Sequence, residues 1–258
     1  MSLTQDEITR YARHLVLKEI GGPGQNALKA ARVLIVGAGG LGAPAALYLA
    51  AAGIGTLTLM DDDTVALSNL QRQVLFGTAD VGQAKAEAAA RALGRRNPHV
   101  RLEPLARRFD DRCTMLVQGQ DLVLDATDNF ASRFALNAAC HEAGVPLVSG
   151  AAIGFDGQLA AFDSQGGKTA CYRCLVPETA QEGETCESVG VIGALTGIIG
   201  AMMALEAIKI ITGAGTPLYG RLLVFDGLAG TCRTLDLPRD PACPVCGDQS
   251  SDLRTRSP

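Results

Sequence analysis

The 258-residue chain has no tryptophan, which excludes nothing, but two other absences are informative. Its amino terminus, MSLTQDEITR, contains acidic residues and no apolar run, so nothing in it directs export. No basic cluster occurs beyond short arginine pairs and the net charge is -4, which argues against nucleic acid as the main partner. Hydrophobic residues, 47% of the chain, can fill a sizeable core. We therefore expect a globular, cytoplasmic protein.

One long uncharged segment could belong to a membrane protein. Residues 189–205 carry no charge and place Gly193 and Gly197 in the G-x-x-x-G spacing of packed membrane helices. The run is at the short end of spanning length, lacks flanking basic residues, and continues directly into Glu206 and Lys209. We expect a buried helix and no membrane, with the two glycines allowing close helix approach in the core or at a subunit interface.

Four of the 8 cysteines form two Cys-x-x-Cys pairs, Cys171 with Cys174 and Cys243 with Cys246. Two intervening residues let both sulfurs of a turn point at one metal ion, and two such turns complete a tetrahedron. The spacing predicts a structural zinc site with four thiolates and no open position. Disulfides and a thioredoxin-like redox motif are the alternatives. The scattered remaining cysteines argue against a secreted disulfide framework: Cys113, Cys140, Cys186 and Cys232.

Apolar periodicity indicates the order of helices and strands. An amphipathic helix is predicted over residues 5–19, ended by the glycines and proline of residues 21–24. Strand-like segments then alternate with alanine-rich helical segments, which predicts an α/β fold with a Rossmann-like, doubly wound, mostly parallel sheet. The strands are expected at residues 33–37, 56–61, 100–106, 121–127 and 145–150, and the helices near residues 42–52, 83–93, 110–118 and 130–143.

The pattern changes after residue 150. Three further strand segments have no helix between some of them, which predicts antiparallel strands added at one edge of the sheet: residues 157–162, 221–225 and 231–237. The polar stretch 176–188 predicts a mobile loop, and residues 248–258 a disordered tail. We expect residues 1–247 to form a single domain.

A glycine-rich turn follows the first strand of this pattern. Gly37, Gly39 and Gly42 permit a tight turn and close approach of a phosphate to a helix N-terminus. Asp61 closes the second strand, where its carboxylate can accept hydrogen bonds from ribose hydroxyls. This combination fits an NAD-dependent dehydrogenase as well as an ATP-using enzyme, and a turn that merely permits packing is a third interpretation.

The run DDDTVALSNLQRQVLF favours ATP because it brings polar and cationic side chains to the end of the second strand. These are Asp63, Asn69, Arg72 and Gln73, with Lys85 shortly after. Attack on a phosphate requires cations that neutralise charge developing on the phosphoryl oxygens and the leaving pyrophosphate, whereas a dehydrogenase needs little positive charge deep in its site. Taken singly, Arg72 and Lys85 could each be a solvated surface cation.

Asp128 and Asn129 follow the strand LVLDAT and so belong at the same edge of the sheet. A carboxylate at this position is suited to holding Mg2+. Asp128 could instead be the N-cap of the helix that follows. We place both residues in the predicted ATP pocket.

Together these motifs resemble the MoeB/ThiF family, the bacterial relatives of ubiquitin-activating enzymes. The resemblance rests on GAGGLG, the acidic strand end with NLQRQ, Lys85, the ATDN segment, and the CYRC and CPVC pairs, and it extends from RYARH to the second cysteine pair. It implies an ATP-dependent adenylyltransferase that acts on the C-terminal glycine carboxylate of a small ubiquitin-like, β-grasp sulfur-carrier protein ending in Gly-Gly. The products would be an acyl adenylate and pyrophosphate.

The resemblance also implies roles for individual residues. Asp61 would bind the ribose, Arg72 and Lys85 the phosphates, and Asp128 Mg2+. The same pocket would be lined by Asn69 and Gln73.

Two further residues have implied roles outside that pocket. Arg13, in the RYARH segment, matches an arginine that reaches the ATP of the neighbouring subunit, which implies a homodimer. Without the resemblance it would be an exposed arginine on an amphipathic helix. Cys186 matches a cysteine that can bond covalently to the carrier or its sulfur, although a bystander thiol is an equal alternative.

The favoured pathway is sulfur transfer in molybdenum cofactor biosynthesis, with thiamine thiazole synthesis or tRNA thiolation as alternatives that the motifs do not separate. No rhodanese domain follows the second cysteine pair, so we expect a separate sulfur donor, a cysteine desulfurase or a rhodanese. Interpretations from other classes are an NAD-dependent dehydrogenase and a catalytically silent binding partner.

Overall fold

A computed structural model describes residues 2–164, 169–177 and 189–248. Most of the predicted mobile loop, with Cys186, and the predicted tail from residue 249 lie outside the described residues. The strands are β1 Arg32–Val36, β2 Thr56–Met60, β3 Arg101–Leu105, β4 Leu122–Asp125, β5 Leu147–Ile153, β6 Asp156–Phe162, β7 Arg221–Asp226 and β8 Thr231–Asp236. The helices are α1 Gln5–Arg10, α2 Ala12–Leu15, α3 Gly21–Ala30, α4 Gly42–Ala52, α5 Lys85–Arg96, α6 Phe130–Ala143, α7 Tyr172–Leu175 and α8 Gly193–Thr212.

The strands form one sheet in the order β3-β2-β1-β4-β5-β6-β7-β8. The first five strands of this order are parallel to one another: β3, β2, β1, β4 and β5. The last three, β6, β7 and β8, are antiparallel additions beyond β5. Short turns connect β5 to β6 and β7 to β8, and a short turn can only reverse the chain direction. The predicted mixed sheet with an antiparallel edge is therefore confirmed.

Helices cover both faces of the parallel part. Along β1, Val33 and Ile35 face a core shared with α4, α5 and α8, whereas Leu34 and Val36 face a second core shared with α6. Such alternation on two buried faces explains why this strand is a continuous apolar run. The 3-10 segment Asp111–Leu116 carries the chain from the first face to the second between β3 and β4. This change of face makes the carboxyl ends of β1 and β4 the expected position of a ligand crevice.

The long apolar helix is α8, which starts at Gly193, four residues later than predicted. By length and composition alone it could cross a membrane. Its residues Leu195, Ile199 and Met203 are at most 2% exposed and belong to the first core. We conclude that one face of α8 is a core face of the domain, as expected.

The two glycines of the predicted G-x-x-x-G spacing have different surroundings in α8. A Cβ on Gly193 would collide with the backbone carbonyl of Gln71, and a Cβ on Gly200 would collide with Leu41 and Pro44. A Cβ on Gly197 would meet no described atom within 4 Å. Close approach within the chain therefore uses Gly193 and Gly200, and the G-x-x-x-G pair does not act as a unit.

The amino-terminal segment differs from the single predicted helix. It breaks at Tyr11, whose buried ring lies against Gly53 and whose hydroxyl accepts a 2.9 Å hydrogen bond from Asn97 Nδ2. The glycine and proline segment after it starts α3, because Pro23 lies in the first turn, where its missing N–H costs no helical hydrogen bond. Tyr11 thus anchors α1 and α2 beside the end of α4 at the amino-terminal edge of the parallel strands.

Glu7 and Lys29 tie α1 to α3 through a 2.7 Å ion pair in which the Glu7 side chain is 4% exposed. Burial by itself would raise the pKa of Glu7, but Lys29 and the Thr4 donors outweigh it and lower the pKa to about 2. We expect Lys29→Met to lower the free energy of unfolding at pH 7 by about 2 kcal/mol, measured by urea denaturation.

The effect should depend on pH with a defined sign. Because the folded-state pKa lies below the ordinary 4.5, the contribution of the pair is complete above pH 4.5 and disappears as the pH falls towards 2. The matched control is Lys18→Met, since Lys18 pairs with Glu19 at 3.5 Å with its side chain 91% exposed. That variant should stay within about 0.5 kcal/mol of wild type, and equal losses in both variants would refute this account.

Candidate functional site

The glycine turn lies in the crevice between the carboxyl ends of β1 and β4. Gly37 has a φ of 93°, a conformation that side chains rarely adopt, and a Cβ there would lie 2.6 Å from the carbonyl oxygen of Ala126 in the loop after β4. A Cβ on Gly42 would collide with the Gly37 carbonyl. Glycine is thus required at both positions, and the turn exposes backbone to a ligand instead of side chains.

Helix α4 opens directly from this turn and runs for 11 residues. Its N-cap residue, Leu41, makes no side-chain capping hydrogen bond. An uncapped helix N-terminus presents N–H groups and the positive end of the helix dipole, both of which attract phosphate. The turn and the helix together have the geometry of an anion-binding cradle, and phosphate binding there stays a prediction.

Asp61 at the end of β2 is tied to the glycine turn. Its carboxylate accepts hydrogen bonds of 2.7 Å from the Ala38 backbone N–H and 2.9 Å from the Asp63 N–H. Burial raises the pKa of Asp61, and the Lys85 cation opposes that rise. Each carboxylate oxygen retains acceptor capacity, so Asp61 could accept further hydrogen bonds, and its ribose-binding role stays a prediction.

Both the backbone and the side chain of Lys85 contact Asp63 beside the crevice. Its N–H donates to the Asp63 carbonyl at 2.9 Å, and its Nζ lies 2.7 Å from Asp63 Oδ2. Only 5% of the residue is exposed, although it starts the surface helix α5. A buried lysine needs a partner, so Lys85 is a fixed charge of the site and the solvated-cation interpretation is wrong.

The acidic run at the end of β2 also places three carboxylates within 4.8 Å of one another, those of Asp61, Asp62 and Asp63. Asp62 pairs with Arg108 at 3.0 Å, and Asp63 pairs with Lys85. Two of the three charges are therefore already neutralised by protein cations. This donor set therefore suits a divalent ion poorly.

Three predicted pocket residues share one turn next to the glycines. Asn69 ends a 3-10 turn, and its carbonyl accepts hydrogen bonds from the N–H groups of Arg72 and Gln73, both at 3.0 Å. The start of α8 packs against this turn, because Gly193 leaves room for the backbone at Arg72. Arg72 is half-buried, and its Nη1 donates to the Ser68 carbonyl at 3.2 Å. The guanidinium thus retains further donors for a ligand.

Gln73 carries an unmet polar group in this crevice. The residue is 3% exposed, its Oε1 has no hydrogen-bond partner, and its Nε2 lies 3.5 Å from where a Gly39 Cβ would be. A buried acceptor without a partner costs about 1–3 kcal/mol. A donor supplied by a bound ligand or water would remove that cost, so the crevice fits a polar ligand.

Asp128 and Asn129 are neighbours in the loop after β4, but their side chains have different surroundings. Asn129 is the N-cap of α6, and its side chain accepts a 2.9 Å hydrogen bond from the Ser132 N–H. The capping role considered for Asp128 therefore belongs to Asn129, whose Oδ1 serves the helix. Asp128 is exposed, one residue from the loop segment that touches Gly37.

Sequence reasoning overlooked Asp125, which is fully buried at the end of β4. Its carboxylate accepts hydrogen bonds from the N–H and Oγ1 of Thr127, at 3.1 and 2.7 Å, and from Ser149 Oγ at 2.7 Å. It thereby fixes the start of the loop that carries Asp128. The available signal was an acidic residue closing an otherwise apolar strand.

Among the residues predicted to contact ATP that the structure describes, Arg13 lies away from the crevice. It lies exposed on α2, two residues from Tyr11, which packs at the amino-terminal edge of the strands. The glycine turn and Asp61 lie at the carboxyl edge. Arg13 therefore lies away from the crevice of its own chain.

The four predicted zinc ligands are brought together. Their sulfur atoms all lie within 4.8 Å of one another, with Cys171 to Cys243 at 3.7 Å and Cys174 to Cys246 at 3.4 Å. Sulfurs about 2.3 Å from a tetrahedral zinc would be separated by about 3.8 Å. Unpaired thiols at these distances rule out disulfides in this structure, and the cluster could hold one metal ion.

Neighbouring groups hold the cluster in shape. Asn137 Nδ2 donates to Cys171 Sγ at 3.6 Å and the Asp240 N–H donates to Cys174 Sγ at 3.5 Å, contacts typical of thiolate ligands. Arg239 donates to the Cys246 carbonyl at 2.9 Å through Nε. Burial and the neighbouring Cys243 sulfur raise the pKa of the Cys171 thiol, and a bound cation would favour its thiolate form.

Comparison with known proteins shows the family of the chain. The model of the ThiF family matches residues 11–245, which is most of the chain. The chain belongs to the ThiF family. The family that the sequence motifs resemble is thereby confirmed.

Named relatives match almost the whole chain. Molybdopterin-synthase adenylyltransferase of Escherichia coli (strain K12) is 49% identical over 95% of this chain and 98% of its own length. Sulfur carrier protein ThiS adenylyltransferase of the same organism is 44% identical over 95% and 98%. The crystal structure of Escherichia coli MccB with ATP has a TM-score of 0.81 at 26% identity, and covers 95% of this chain and 75% of that one.

Proposed function

We propose that the protein is an ATP-dependent adenylyltransferase that activates the C-terminal glycine carboxylate of a ubiquitin-like sulfur-carrier protein. The observation that carries this proposal is Lys85, a buried cation fixed beside the anion-binding glycine turn and Asp61. A nicotinamide site needs no such charge, whereas the phosphates of ATP do. The relatives named as adenylyltransferases support the reaction class.

In this reaction a carboxylate oxygen of the carrier attacks the α-phosphorus of ATP. A bond forms between that oxygen and phosphorus, the bond from phosphorus to the oxygen bridging to the β-phosphate breaks, and pyrophosphate leaves with the electron pair. No protein nucleophile is required. Asp61 would hold the ribose, the α4 N-terminus and glycine turn the phosphates, and Arg72 and Lys85 the charge that develops on the phosphoryl oxygens and pyrophosphate.

Asp128 is the proposed Mg2+ ligand of this site. It is exposed at the rim, and its loop is fixed by Asp125 and touches the glycine turn. When bound, Mg2+ would neutralise charge on the phosphates. Asn69 and Gln73 complete the proposed pocket, and Asn129 contributes through its cap on α6.

We propose zinc as the metal of the cysteine cluster, because four thiolates at tetrahedral spacing are the typical structural zinc site. Pure protein should contain about one zinc per chain, and Cys243→Ser should reduce the content well below that value. Cys232→Ser is the matched control, since Cys232 is exposed on β8 away from the cluster. Much less than one zinc in wild-type protein, with free thiols, would contradict the assignment.

We propose a homodimer in which Arg13 of one chain reaches the ATP of the other. Two observations support it. Arg13 lies at the edge of the sheet opposite its own crevice. Helix α8 also exposes an apolar strip consisting of Ala194, Gly197, Ile198, Ala201 and Leu205, in which Leu205 is 59% exposed. Burial of such a strip by a second copy would stabilise the dimer.

The proposed pathway is sulfur transfer for molybdenum cofactor biosynthesis, with a ThiS-like carrier in thiamine thiazole synthesis or tRNA thiolation as the alternative. The identity of 49% to molybdopterin-synthase adenylyltransferase, against 44% to the ThiS-specific relative, favours the first. A separate cysteine desulfurase or rhodanese would donate the sulfur, and the reaction would take place in the cytoplasm. Cys186 would be a thiol of the later sulfur-transfer step.

Carrier-dependent exchange of labelled pyrophosphate into ATP tests this function. Candidate carriers ending in Gly-Gly are supplied with MgATP, and each carrier shortened by its last glycine is the matched control. We expect exchange only with an intact carrier. No exchange with any carrier, or reduction of NAD by a substrate, would overturn the proposal.

A further inference from the structure

Helix α6 carries two buried polar side chains that the proposed chemistry does not use. Arg133 is 9% exposed and Asn137 is 2% exposed. Because they are four residues apart, they lie on the same face of the helix, one turn from each other. Buried polar groups need partners, and the partners of these two belong to different functional centres.

Arg133 binds the loop that carries the proposed Mg2+ ligand. One of its terminal nitrogens donates to the Thr127 carbonyl and, at 3.0 Å, to the Gly150 carbonyl of β5. Thr127 directly precedes Asp128. The guanidinium of Arg133 therefore links the loop to β5. Asp125, at the end of β4, accepts a hydrogen bond from the same loop.

The charge of Arg133 is maintained in this buried position. Burial by itself would lower the pKa of Arg133, but Asp125, Tyr172 and Asp128 raise it. The two carboxylates of the β4 loop thus both interact with the guanidinium. Loss of this cation would leave Asp125 buried beside its two hydroxyl partners without a compensating charge.

Asn137 binds the first cysteine pair. Its Oδ1 accepts a 2.8 Å hydrogen bond from the Tyr172 N–H, and its Nδ2 donates to Cys171 Sγ at 3.6 Å. The Tyr172 ring is 5.9 Å from the Arg133 guanidinium carbon, measured to the ring centre. Tyr172 therefore contacts both polar side chains of α6, and an unbroken set of contacts runs from the cysteine cluster to the loop before Asp128.

We propose that Arg133 is a positioning residue for the Asp128 loop, and that Asn137 and Tyr172 connect it to the four-cysteine cluster, so that metal binding there strengthens MgATP binding. The inference rests on the proposed function, because it requires the crevice to bind MgATP. By linkage the coupling acts in both directions, so MgATP should also slow metal release.

The test measures the dissociation constant of MgATP by calorimetry, without a carrier, together with the zinc content. Arg133→Met should weaken MgATP binding by about 10-fold to 100-fold while zinc content stays at the wild-type value. Arg133→Lys, which keeps the charge, should recover part of the affinity. The matched control is Arg112→Met, since Arg112 is an exposed arginine that pairs with Asp110 away from the cluster and the Asp128 loop, and this variant should bind MgATP like wild type.

Chelation of the zinc distinguishes positioning of the Asp128 loop by Arg133 from a general effect on protein stability. It should weaken MgATP binding in wild-type protein and have no further effect in Arg133→Met. If circular dichroism shows that chelation unfolds the chain, Asn137→Ala replaces it, alone and combined with Arg133→Met. Unchanged affinity in Arg133→Met, or equal effects of chelation in both proteins, would overturn the inference alone. Wild-type protein that binds no MgATP would overturn the proposed function as well.

Discussion

Replacement of Lys85 with methionine should lower carrier-dependent pyrophosphate exchange by at least about 100-fold. Methionine keeps most of the side-chain volume at a position that is 5% exposed, so the change removes the charge with little disturbance of packing. Lys85→Met removes the buried cation that lies beside Asp61 and Asp63, so the charge that develops as pyrophosphate leaves should be stabilised less. The matched control is Arg95→Met, because Arg95 is an exposed cation near the end of the same helix.

The same variant should shift the pH dependence of nucleotide binding. Burial raises the pKa of Asp61, and Lys85 counteracts that effect, so Lys85→Met should raise this pKa further. A carboxyl group with a raised pKa takes up its proton at higher pH as the solution is acidified. MgATP affinity should therefore begin to fall at a higher pH in Lys85→Met than in wild type. Wild-type exchange and an unchanged pH profile in this variant would remove Lys85 from the mechanism.

Mixing two inactive variants should restore activity if Arg13 acts across a dimer. Arg13→Ala and Lys85→Met should each show almost no exchange. In a mixed dimer, the crevice of the Arg13→Ala chain keeps its own Lys85 and receives Arg13 from its partner, while the other crevice has both defects. With random reassociation half of the dimers are mixed, so roughly a quarter of all sites should be active.

The control for this experiment mixes Lys85→Met with Arg72→Ala, since both residues belong to the crevice of their own chain. No arrangement of those two chains produces an intact site, so activity should not recover. Recovery in this control, or none in the Arg13 mixture once mass measurements show mixed dimers, would contradict the shared site.

Much of the fold could be predicted from sequence because its parallel strands are buried on both faces. Continuous apolar runs such as β1 and β4, each followed by glycine or acidic residues, located the crevice. The cysteine pairs were equally informative, since their spacing is set by metal geometry. The start of α3 was missed because its glycines and proline resemble a helix end as much as a helix beginning.

The less predictable parts depend on contacts between distant segments. Nothing local shows that Arg133 is buried or that it bonds to the Gly150 carbonyl. The choice of Asn129 over Asp128 as the α6 cap is one of backbone geometry, for which both residue types are suited. Arg13 is a further example, because its position on α2 is compatible with a role in ATP binding only if a second chain is present.

Transfer of AMP to the carrier tests the central claim most directly. A purified carrier ending in Gly-Gly is incubated with the protein and MgATP, and the intact carrier is weighed by mass spectrometry at mildly acidic pH, which preserves an acyl adenylate. The account predicts a carrier heavier by one AMP moiety, absent with Lys85→Met or with a carrier lacking its last glycine. An unmodified carrier beside wild-type protein that binds MgATP would contradict it.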